Sequence, residues 1–197
     1  MLNSKKIYDY LIEKEVKFFT GVPDSLLKNF CSYITDNTNE KDHIIAANEG
    51  NALSLGIGYH LATNKIPLIY MQNSGLGNII NPLLSLADND VYSTQALLMI
   101  GWRGEPGVKD EPQHKKQGRI TLDLLDTMEV PYEILSADDT ESSALEKISS
   151  MIKRIREDNR VSALVIKKNT FEKYLLKKDI ISSYEMHRED AIKIIIN

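Results

Sequence analysis

The chain of 197 residues is 42% hydrophobic and 26% charged, proportions that are typical of a globular protein with a core of useful size. Its formal net charge is −4 and its basic residues are dispersed, which argues against a general nucleic-acid binder. The single cysteine, Cys31, excludes a disulfide framework and a thiolate metal cluster, and we expect a cytoplasmic protein because we see neither a signal peptide nor an apolar run of membrane length.

Strand-like and helical patterns alternate along the first 170 residues. Apolar residues recur at helical spacing from residue 4 onward, and short β-branched runs end in turn-forming residues such as Pro23 and Gly75. Cys31 falls on the apolar face of the second helix, so we interpret it as a core residue rather than a nucleophile. The predicted strands cover residues 16–22, 43–47, 68–71, 95–100, 132–135 and 162–166, and the predicted helices cover residues 4–15, 26–34, 51–62, 79–87, 122–128 and 140–155.

The strands are continuous apolar runs joined through helices, which predicts a parallel sheet that is buried on both faces. The expected fold is a three-layer α/β/α domain with six parallel strands, formed by residues 1–170. The alternation breaks in residues 171–197. There we expect a linker and an amphipathic helix at residues 188–196, which would begin a second domain that is missing from this sequence.

The longest predicted loop, residues 101–119, follows the fourth strand. It holds five basic and three acidic residues, although the chain as a whole is negative. A solvated loop is the simplest interpretation, but loops of this length in compact domains are often functional. Arg103 and Lys109 would suit an anionic group such as a carboxylate, phosphonate or sulfonate.

Polar residues follow several predicted strands and should gather at the carboxyl edge of the sheet, where open α/β folds bind ligands. Glu49 lies where the second strand turns into a helix, Asp24 follows the first strand, and His114 lies in the long loop. Each has a simpler interpretation. Glu49 suits the positive end of a helix, and His114 could be solvated. Asp24 or Ser25 could cap the second helix.

The pair Gly75 and Gly77 after the third strand invites a dinucleotide-binding interpretation. The third glycine of that fingerprint would fall at Ile80, and no acidic residue follows at the expected strand end. A Walker motif is also absent from the sequence. A nucleotide-dependent oxidoreductase is therefore disfavoured.

Four strings of residues occur in an order that resembles the thiamine-diphosphate-dependent 2-oxoacid decarboxylases. They are Gly-Val-Pro-Asp-Ser at residues 21–25, Asn-Glu-Gly-Asn-Ala at 48–52, Gln-Asn-Ser-Gly-Leu-Gly-Asn at 72–78, and Gly-Trp-Arg-Gly-Glu-Pro-Gly at 101–107 with Asp-Glu-Pro-Gln-His at 110–114. Within that family the chain resembles the N-terminal half of the phosphonopyruvate decarboxylases. It is also similar to the alpha chains of the sulfopyruvate decarboxylases.

The resemblance implies that this domain binds the aminopyrimidine ring of thiamine diphosphate. Glu49 would hydrogen-bond a ring nitrogen of the pyrimidine. Asp24 and His114 match positions that deliver protons in related pyruvate decarboxylases, and these three residues are the catalytic candidates. The cofactor-binding candidates are Glu49, Asn73, Ser74, Gly75 and Asn78, and the substrate-binding candidates are Asp24, Arg103, Lys109 and His114.

In this family a second domain holds the diphosphate through Mg²⁺. The Gly-Asp-Gly and Asn-Asn signature of that domain does not occur in this sequence, so we expect no metal ligand in this chain. The resemblance implies two partners: a diphosphate-binding domain or chain, and a second copy of this domain in a homodimer. We expect the small residues Gly50, Ala52, Gly56 and Gly58 to permit close helix approach in that dimer.

The expected activity is that of a carboxy-lyase of phosphonate biosynthesis. It would convert 3-phosphonopyruvate, a small anionic 2-oxoacid, to phosphonoacetaldehyde and CO₂, and this chain alone would be inactive. The alternatives are the alpha subunit of a sulfopyruvate decarboxylase, which would give sulfoacetaldehyde and CO₂, and a non-catalytic regulatory domain of the same fold.

Overall fold

The computed structural model describes residues 1–178, 186 and 188–196. The strands are β1 (Phe18–Gly21), β2 (His43–Ile45), β3 (Pro67–Gln72), β4 (Ala96–Gly101), β5 (Tyr132–Leu135) and β6 (Val161–Ile166), and the helices are α1 (Ser4–Glu13), α2 (Lys28–Asn37), α3 (Glu49–Thr63), α4 (Leu76–Pro82), α5 (Pro112–Thr127), α6 (Glu141–Asp158) and α7 (Arg188–Ile196). The strands form one parallel sheet in the order β2-β1-β3-β4-β6-β5. The predicted six-stranded α/β class is confirmed.

Two apolar cores lie on the two faces of this sheet. One face is covered by α1, α2 and α6, through residues such as Leu11 and Ile152. The other is covered by α3, α4 and α5, through Leu53, Ile79 and Leu125. All six residues of β4 are buried, as expected for a strand in the middle of a parallel sheet that is packed on both faces.

The loops after β1 and β3 leave the sheet toward opposite faces, although these strands are neighbours. Gly21 at the end of β1 pairs in register with Tyr70 of β3, and the following helices, α2 and α4, belong to the two different cores. Such a divergence opens a crevice at the carboxyl ends of the strands. The crevice lies where the sequence places its polar residues.

The prediction of a loop over residues 101–119 is wrong in its second half, because α5 begins at Pro112. Proline is favoured at the first position of a helix because its missing N–H needs no partner there. The buried residues of α5 are Gly118, Thr121 and Leu125. Two of these three are not apolar, so the first turns of the helix lack an apolar stripe.

The segment after β6 packs back onto the domain as far as residue 178. Phe171 is 3% exposed, and its ring stacks on that of Phe30 with 5.2 Å between centroids. The hydroxyl of Tyr174 donates to Asp36 Oδ2 at 2.9 Å. The helix predicted at residues 188–196 is present as α7. The part of the predicted linker at residues 179–185 lies outside the described residues, and the expected boundary at residue 170 stays a prediction.

The small residues of α3 pack inside the chain, which corrects our reason for placing them at a dimer interface. Ala52 is fully buried. A Cβ atom on Gly56 would fall 2.7 Å from Ile69 Cδ1, and one on Gly50 would fall 2.8 Å from the carbonyl oxygen of Asn78. Of the four, only Gly58 faces open space. Close approach of α3 to β3 and α4 explains the other three.

Candidate functional site

Asp24 is a buried carboxyl group at the crevice between β1 and β3. Its side chain is 4% exposed. Oδ1 accepts a hydrogen bond from Gln72 Nε2 at 2.7 Å, and Oδ2 accepts one from the backbone N–H of Leu26 at 2.9 Å. Gly101 at the end of β4 lies against it, because a Cβ atom there would fall 2.3 Å from Oδ2. The ends of β1, β3 and β4 therefore surround one carboxyl group.

The prediction that Asp24 or Ser25 caps the second helix is wrong. That helix begins at Lys28, and its N-cap, Leu27, makes no side-chain capping bond. Asp24 instead accepts from an N–H of the preceding turn. The side chain of Ser25 accepts a hydrogen bond from Arg103 Nη1 at 2.8 Å.

Glu49 is the first residue of α3, which begins two residues before its predicted start. The helix is capped by Asn48, whose Oδ1 accepts from the N–H of Asn51 at 2.9 Å. Oε2 of Glu49 accepts a hydrogen bond from Asn78 Nδ2 at 2.7 Å, whereas Oε1 has no hydrogen-bond partner within the described part of the chain. The side chain lies on Gly75, where a Cβ atom would fall 2.4 Å from Glu49 Cγ and 2.6 Å from Oε1. Because Glu49 is only half-buried, its free oxygen is available to a ligand.

Asn73, a predicted cofactor ligand, is fully buried and has its hydrogen bonds inside the protein. Its Nδ2 donates to the carbonyl of Arg103 and to Thr121 Oγ1, both at 2.8 Å, and its Oδ1 accepts from the N–H of Arg103 at 3.2 Å. Gln117 Nε2 donates to its carbonyl at 2.9 Å. Asn73 therefore fastens the turn after β3 to the loop after β4 and to α5.

The loop after β4 is organised around Asp110, which we did not single out from the sequence. This carboxylate accepts from Arg103 Nε at 2.8 Å and Nη2 at 2.5 Å, and from the N–H groups of Gly104 and Glu111, each at 2.8 Å. The hydrogen bonds from Arg103 are the main reason why the pKa of Asp110 lies well below its usual value. All four donor groups belong to the segment between β4 and α5, so Asp110 sets the shape of this loop.

Arg103, a predicted substrate ligand, is already engaged. Its guanidinium pairs with Asp110 and donates to Ser25, and its side chain is 19% exposed. Lys109, the other candidate, is exposed and lines an open groove of about 580 Å³ together with Lys115 and Arg119. No acidic partner of these three cations lies within salt-bridge distance among the described residues. Arg103 does not line this groove, although its partner Asp110 does.

His114 lies in the first turn of α5 and not in a loop. A Cβ atom on Gly104 would fall 2.0 Å from the carbonyl oxygen of His114, and Gly104 has a φ of +69°, a conformation that favours glycine. The imidazole is half-buried and makes no hydrogen bond within the described part of the chain. Its backbone is fixed while its ring stays free for a ligand.

The structure brings most of the predicted site residues together through short links. Asp24 accepts a hydrogen bond from Gln72, whose Oε1 accepts one from Ser74 Oγ at 2.8 Å. The next residue, Gly75, contacts the side chain of Glu49. Gln72 was missed as a functional candidate. Its signal in the sequence is an amide at the end of an otherwise apolar strand, immediately before the turn.

Two kinds of feature are absent from the described residues. Among them, no group of three or more His, Cys, Asp or Glu side chains could hold a metal ion. No helix in that part of the chain combines the length and the apolar character needed to cross a membrane.

This sheet-edge carboxylate site belongs to a fold shared with thiamine-diphosphate enzymes. The family model described as thiamine pyrophosphate enzyme, N-terminal TPP binding domain, matches residues 3–129. The chain belongs to this family.

Two named relatives narrow the comparison. The chain is 38% identical over 111 residues to a phosphonopyruvate decarboxylase of Streptomyces viridochromogenes, a match that covers 53% of this chain and 27% of that protein. It is 36% identical over 129 residues to a sulfopyruvate decarboxylase subunit alpha of Methanococcus maripaludis, which covers 66% of this chain and 74% of that subunit. The first match therefore spans only about a quarter of its relative.

Solved structures share the fold. A benzoylformate decarboxylase from Polynucleobacter necessarius superimposes with a TM-score of 0.64 at 16% identity, over 92% of this chain and 33% of the other. A thiamine diphosphate-dependent 4-hydroxybenzoylformate decarboxylase from Rhodococcus jostii gives a TM-score of 0.60 at 18% identity, over 98% and 36%. The predicted fold of a pyrimidine-binding domain is thereby confirmed.

Proposed function

We propose that this chain is the pyrimidine-binding part of a thiamine-diphosphate-dependent carboxy-lyase that converts 3-phosphonopyruvate to phosphonoacetaldehyde and CO₂. Membership of the thiamine-binding family and the likeness to a phosphonopyruvate decarboxylase support this assignment. The observation that carries it is the carboxyl group of Glu49, which is held by Asn78 through one oxygen and leaves the other free at the crevice.

The residues around Glu49 fit the aminopyrimidine end of the cofactor. Because residue 75 is a glycine, the Glu49 side chain can occupy the space that a Cβ atom at position 75 would fill. A carboxyl group is the donor or acceptor that a pyrimidine ring nitrogen requires. When bound, thiamine diphosphate supplies the electron-accepting centre that lets a 2-oxoacid lose CO₂. In our proposal Glu49 binds the ring and controls the proton on it, while Asn78 orients Glu49.

Asn73, Ser74 and Gly75 were expected to bind the cofactor. In our proposal Gly75 contributes space, and Asn73 acts indirectly, because its amide is committed to Arg103 and Thr121. Ser74 contributes through its hydrogen bond to Gln72. The Mg²⁺ ion and the diphosphate would be held by a partner domain or chain.

Asp24 and His114 are the proposed acid–base groups of the reaction. Asp24 is buried at the strand edge with both oxygens hydrogen-bonded, so its position is fixed. The His114 ring has no partner within the described chain and can turn toward a substrate. Together they would move a proton to and from the reacting carbon and release the aldehyde.

The proposed substrate is a small 2-oxoacid with two anionic groups, a carboxylate and a phosphonate. Arg103 uses three of its five N–H donors on Asp110 and Ser25, so at most two remain for the phosphonate or carboxylate group. Lys109, which lines the open groove together with Lys115 and Arg119, is the other proposed anion ligand. Arg103 would act mainly through its fixed charge, and Lys109 would contact the substrate only if its loop closes.

A sulfopyruvate decarboxylase alpha subunit is the second candidate function. The match with such subunits covers a larger share of this chain, 66% against 53%. A sulfonate carries one charge near neutral pH, whereas a phosphonate carries two. The basic residues of the loop after β4 would accept either group. A non-catalytic regulatory domain is the third candidate.

The proposed partners are a diphosphate-binding domain or chain and a second copy of this domain. The relatives named as alpha subunits support a partner chain. A homodimer and a cytoplasmic location are further parts of the proposal. The single cysteine, which is buried and free, is compatible with a reducing compartment.

The decisive experiment joins or mixes the chain with its natural diphosphate-binding half. Decarboxylation is measured with thiamine diphosphate and Mg²⁺, on phosphonopyruvate and sulfopyruvate in parallel. We expect turnover of one acid, which the Glu49→Gln variant loses. Turnover of neither acid, with the cofactor bound normally, would contradict the assignment and favour a regulatory domain.

A binding measurement complements the activity assay. We expect weak or undetectable thiamine diphosphate binding by the isolated chain, because the aminopyrimidine contacts are few. Tight binding in calorimetry without a partner would contradict that expectation. Sedimentation at micromolar concentration tests the dimer, and a monomer would count against it.

A further inference from the structure

The side chain of Gln72 connects two segments that carry the proposed chemistry. Gln72 is the last residue of β3, and the five residues before it are all buried. Its Nε2 donates to Asp24 Oδ1 at 2.7 Å, and its Oε1 accepts from Ser74 Oγ at 2.8 Å. The amide thus spans the mouth of the crevice from the turn after β1 to the turn after β3.

The surroundings of Asp24 leave Gln72 as its only side-chain hydrogen-bond partner within the described residues. The second oxygen accepts from a backbone N–H, that of Leu26. Two titratable groups face it from other elements. The guanidinium of Arg103 follows β4 and is held by Asp110. The thiol of Cys31 on α2 stays protonated, because burial raises its pKa.

A primary amide can serve both states of a carboxyl group. With Asp24 ionised, the observed orientation presents the N–H₂ group of Gln72 to the carboxylate. With Asp24 protonated, a half-turn of the amide would present Oε1 to the acid O–H, and Nε2 would then donate to Ser74. The hydroxyl of Ser74 can donate or accept, so both hydrogen bonds exist in either state.

We propose that Gln72 is a positioning residue for Asp24 and that the Gln72–Ser74 pair keeps this buried carboxyl group hydrogen-bonded whether it is charged or neutral. The inference rests on the proposed function, in which Asp24 exchanges a proton during each turnover. A buried acid that lacks a hydrogen-bond partner in one of its two protonation states has a higher free energy in that state. Gln72 supplies a partner in both states.

The first test needs no activity. Side-chain amide signals of the ¹⁵N-labelled full chain are followed by NMR as the pH falls. We expect the Gln72 signals to move in the wild type and to lose that movement in the Asp24→Asn variant. Gln95 is the matched internal control, because its amide donates to the neutral side chain of Asn159. Gln72 signals that titrate identically in the wild type and in Asp24→Asn would overturn the proposal.

The second test uses the active assembly and the Gln72→Met variant, which keeps the length of the side chain without its hydrogen bonds. We expect kcat to fall about a hundredfold with little change in KM. The acid limb of the pH profile of kcat/KM should move to higher pH, because the variant loses both hydrogen bonds and the one to the charged form of the acid is the stronger. Gln95→Met should change neither quantity, and Gln72→His, which retains a donor and an acceptor, should restore part of kcat.

The two tests separate the proposal from the function on which it rests. A lower melting temperature with an unmoved pH profile would show that Gln72 only packs, and would overturn the inference. Inactivity of the wild-type assembly on both acids would overturn the proposed function. The NMR experiment would still decide whether Gln72 follows the protonation of Asp24.

Discussion

The carboxyl group of Glu49 rests on the backbone of Gly75, so that any side chain at position 75 would occupy its place. A Cβ atom there would fall 2.5 Å from Glu49 Cδ, closer than carbon atoms approach without a bond. The two residues belong to α3 and to the turn after β3. The proposed catalytic carboxyl group can therefore occupy its position only because residue 75 has no Cβ atom.

Gly75→Ala should therefore disable the site without unfolding the chain. The backbone of Gly75 has φ near −73°, which alanine adopts freely, but Glu49 must move. We expect decarboxylation by the assembled enzyme to fall about a hundredfold, since a shift of about 1 Å can cost that much. Gly77→Ala is the matched control, because a Cβ atom there meets nothing within 4 Å. Equal activity of the two variants would contradict the proposed role of Gly75.

Asn78→Ala tests how far the orientation of Glu49 matters. Its amide holds Glu49 Oε2 at 2.7 Å, a bond to a charged acceptor that contributes about 1.5–3 kcal/mol when well formed. We expect activity to fall about tenfold and the melting temperature to change little, because Asn78 is exposed. Asn81→Ala, one turn further along the chain, should leave activity unchanged. A normal rate in Asn78→Ala would show that Glu49 is positioned by other means.

Gly118→Ala should destabilise the domain, because α5 and the loop after β4 interlock at this point. A Cβ atom on Gly118 would fall 1.8 Å from the carbonyl oxygen of Gly104. Neither backbone can yield easily, and we expect a loss of about 3 kcal/mol in the free energy of unfolding, measured by urea denaturation. Gly58→Ala offers the opposite case. It lies inside α3 with open space around it, so alanine should stabilise by about 0.5–1 kcal/mol.

The stability of the loop after β4 should depend on pH through Asp110. Its folded pKa lies well below the ordinary value of 3.8, so the carboxylate stabilises the folded state fully above that value, and the contribution is lost progressively as the pH falls from there toward the lowered folded pKa. Asp110→Asn should lower the melting temperature at pH 7, and this effect should shrink at pH 3 without vanishing, because the folded carboxyl group is still ionised there. Asp9→Asn removes an exposed partner of Lys5 and should matter little at either pH. An equal effect of Asp110→Asn at both pH values would contradict this reasoning.

The fold could be predicted because its strands are continuous apolar runs and its turns carry distinctive residues. Helix α6 begins within one residue of its predicted start, after Thr140, whose Oγ1 accepts from the N–H of Ser143 at 3.2 Å. The start of α5 could not be predicted from periodicity. Gly118 meets the backbone of Gly104 in the loop after β4, and Thr121 accepts a hydrogen bond from Asn73 in the turn after β3. The cause is therefore close approach of polar and backbone groups rather than an apolar stripe.

The places of Glu49 and Asp24 at the sheet edge could be predicted from the sequence, but the hydrogen bonds of the candidate site could not. Glu49 and Asp24 lie at strand ends, which the alternation of elements locates. The partners of Arg103 and Asn73 depend on which loops meet above the sheet, and no pattern along the chain encodes that meeting. Gln72 was not predicted for the same reason, because its proposed role depends on its hydrogen bond to Asp24, 48 positions earlier in the chain.

The strand order also constrains how this domain can be synthesised. β6 lies between β4 and β5. Until residue 166 has left the ribosome, one edge of the apolar strand β4 therefore stays unpaired and β5 has no neighbouring strand. A chain interrupted before that point would expose the edge of β4 as a template for pairing with other chains. Fragments that end between β4 and β6 should therefore aggregate, and the late strand closes the sheet.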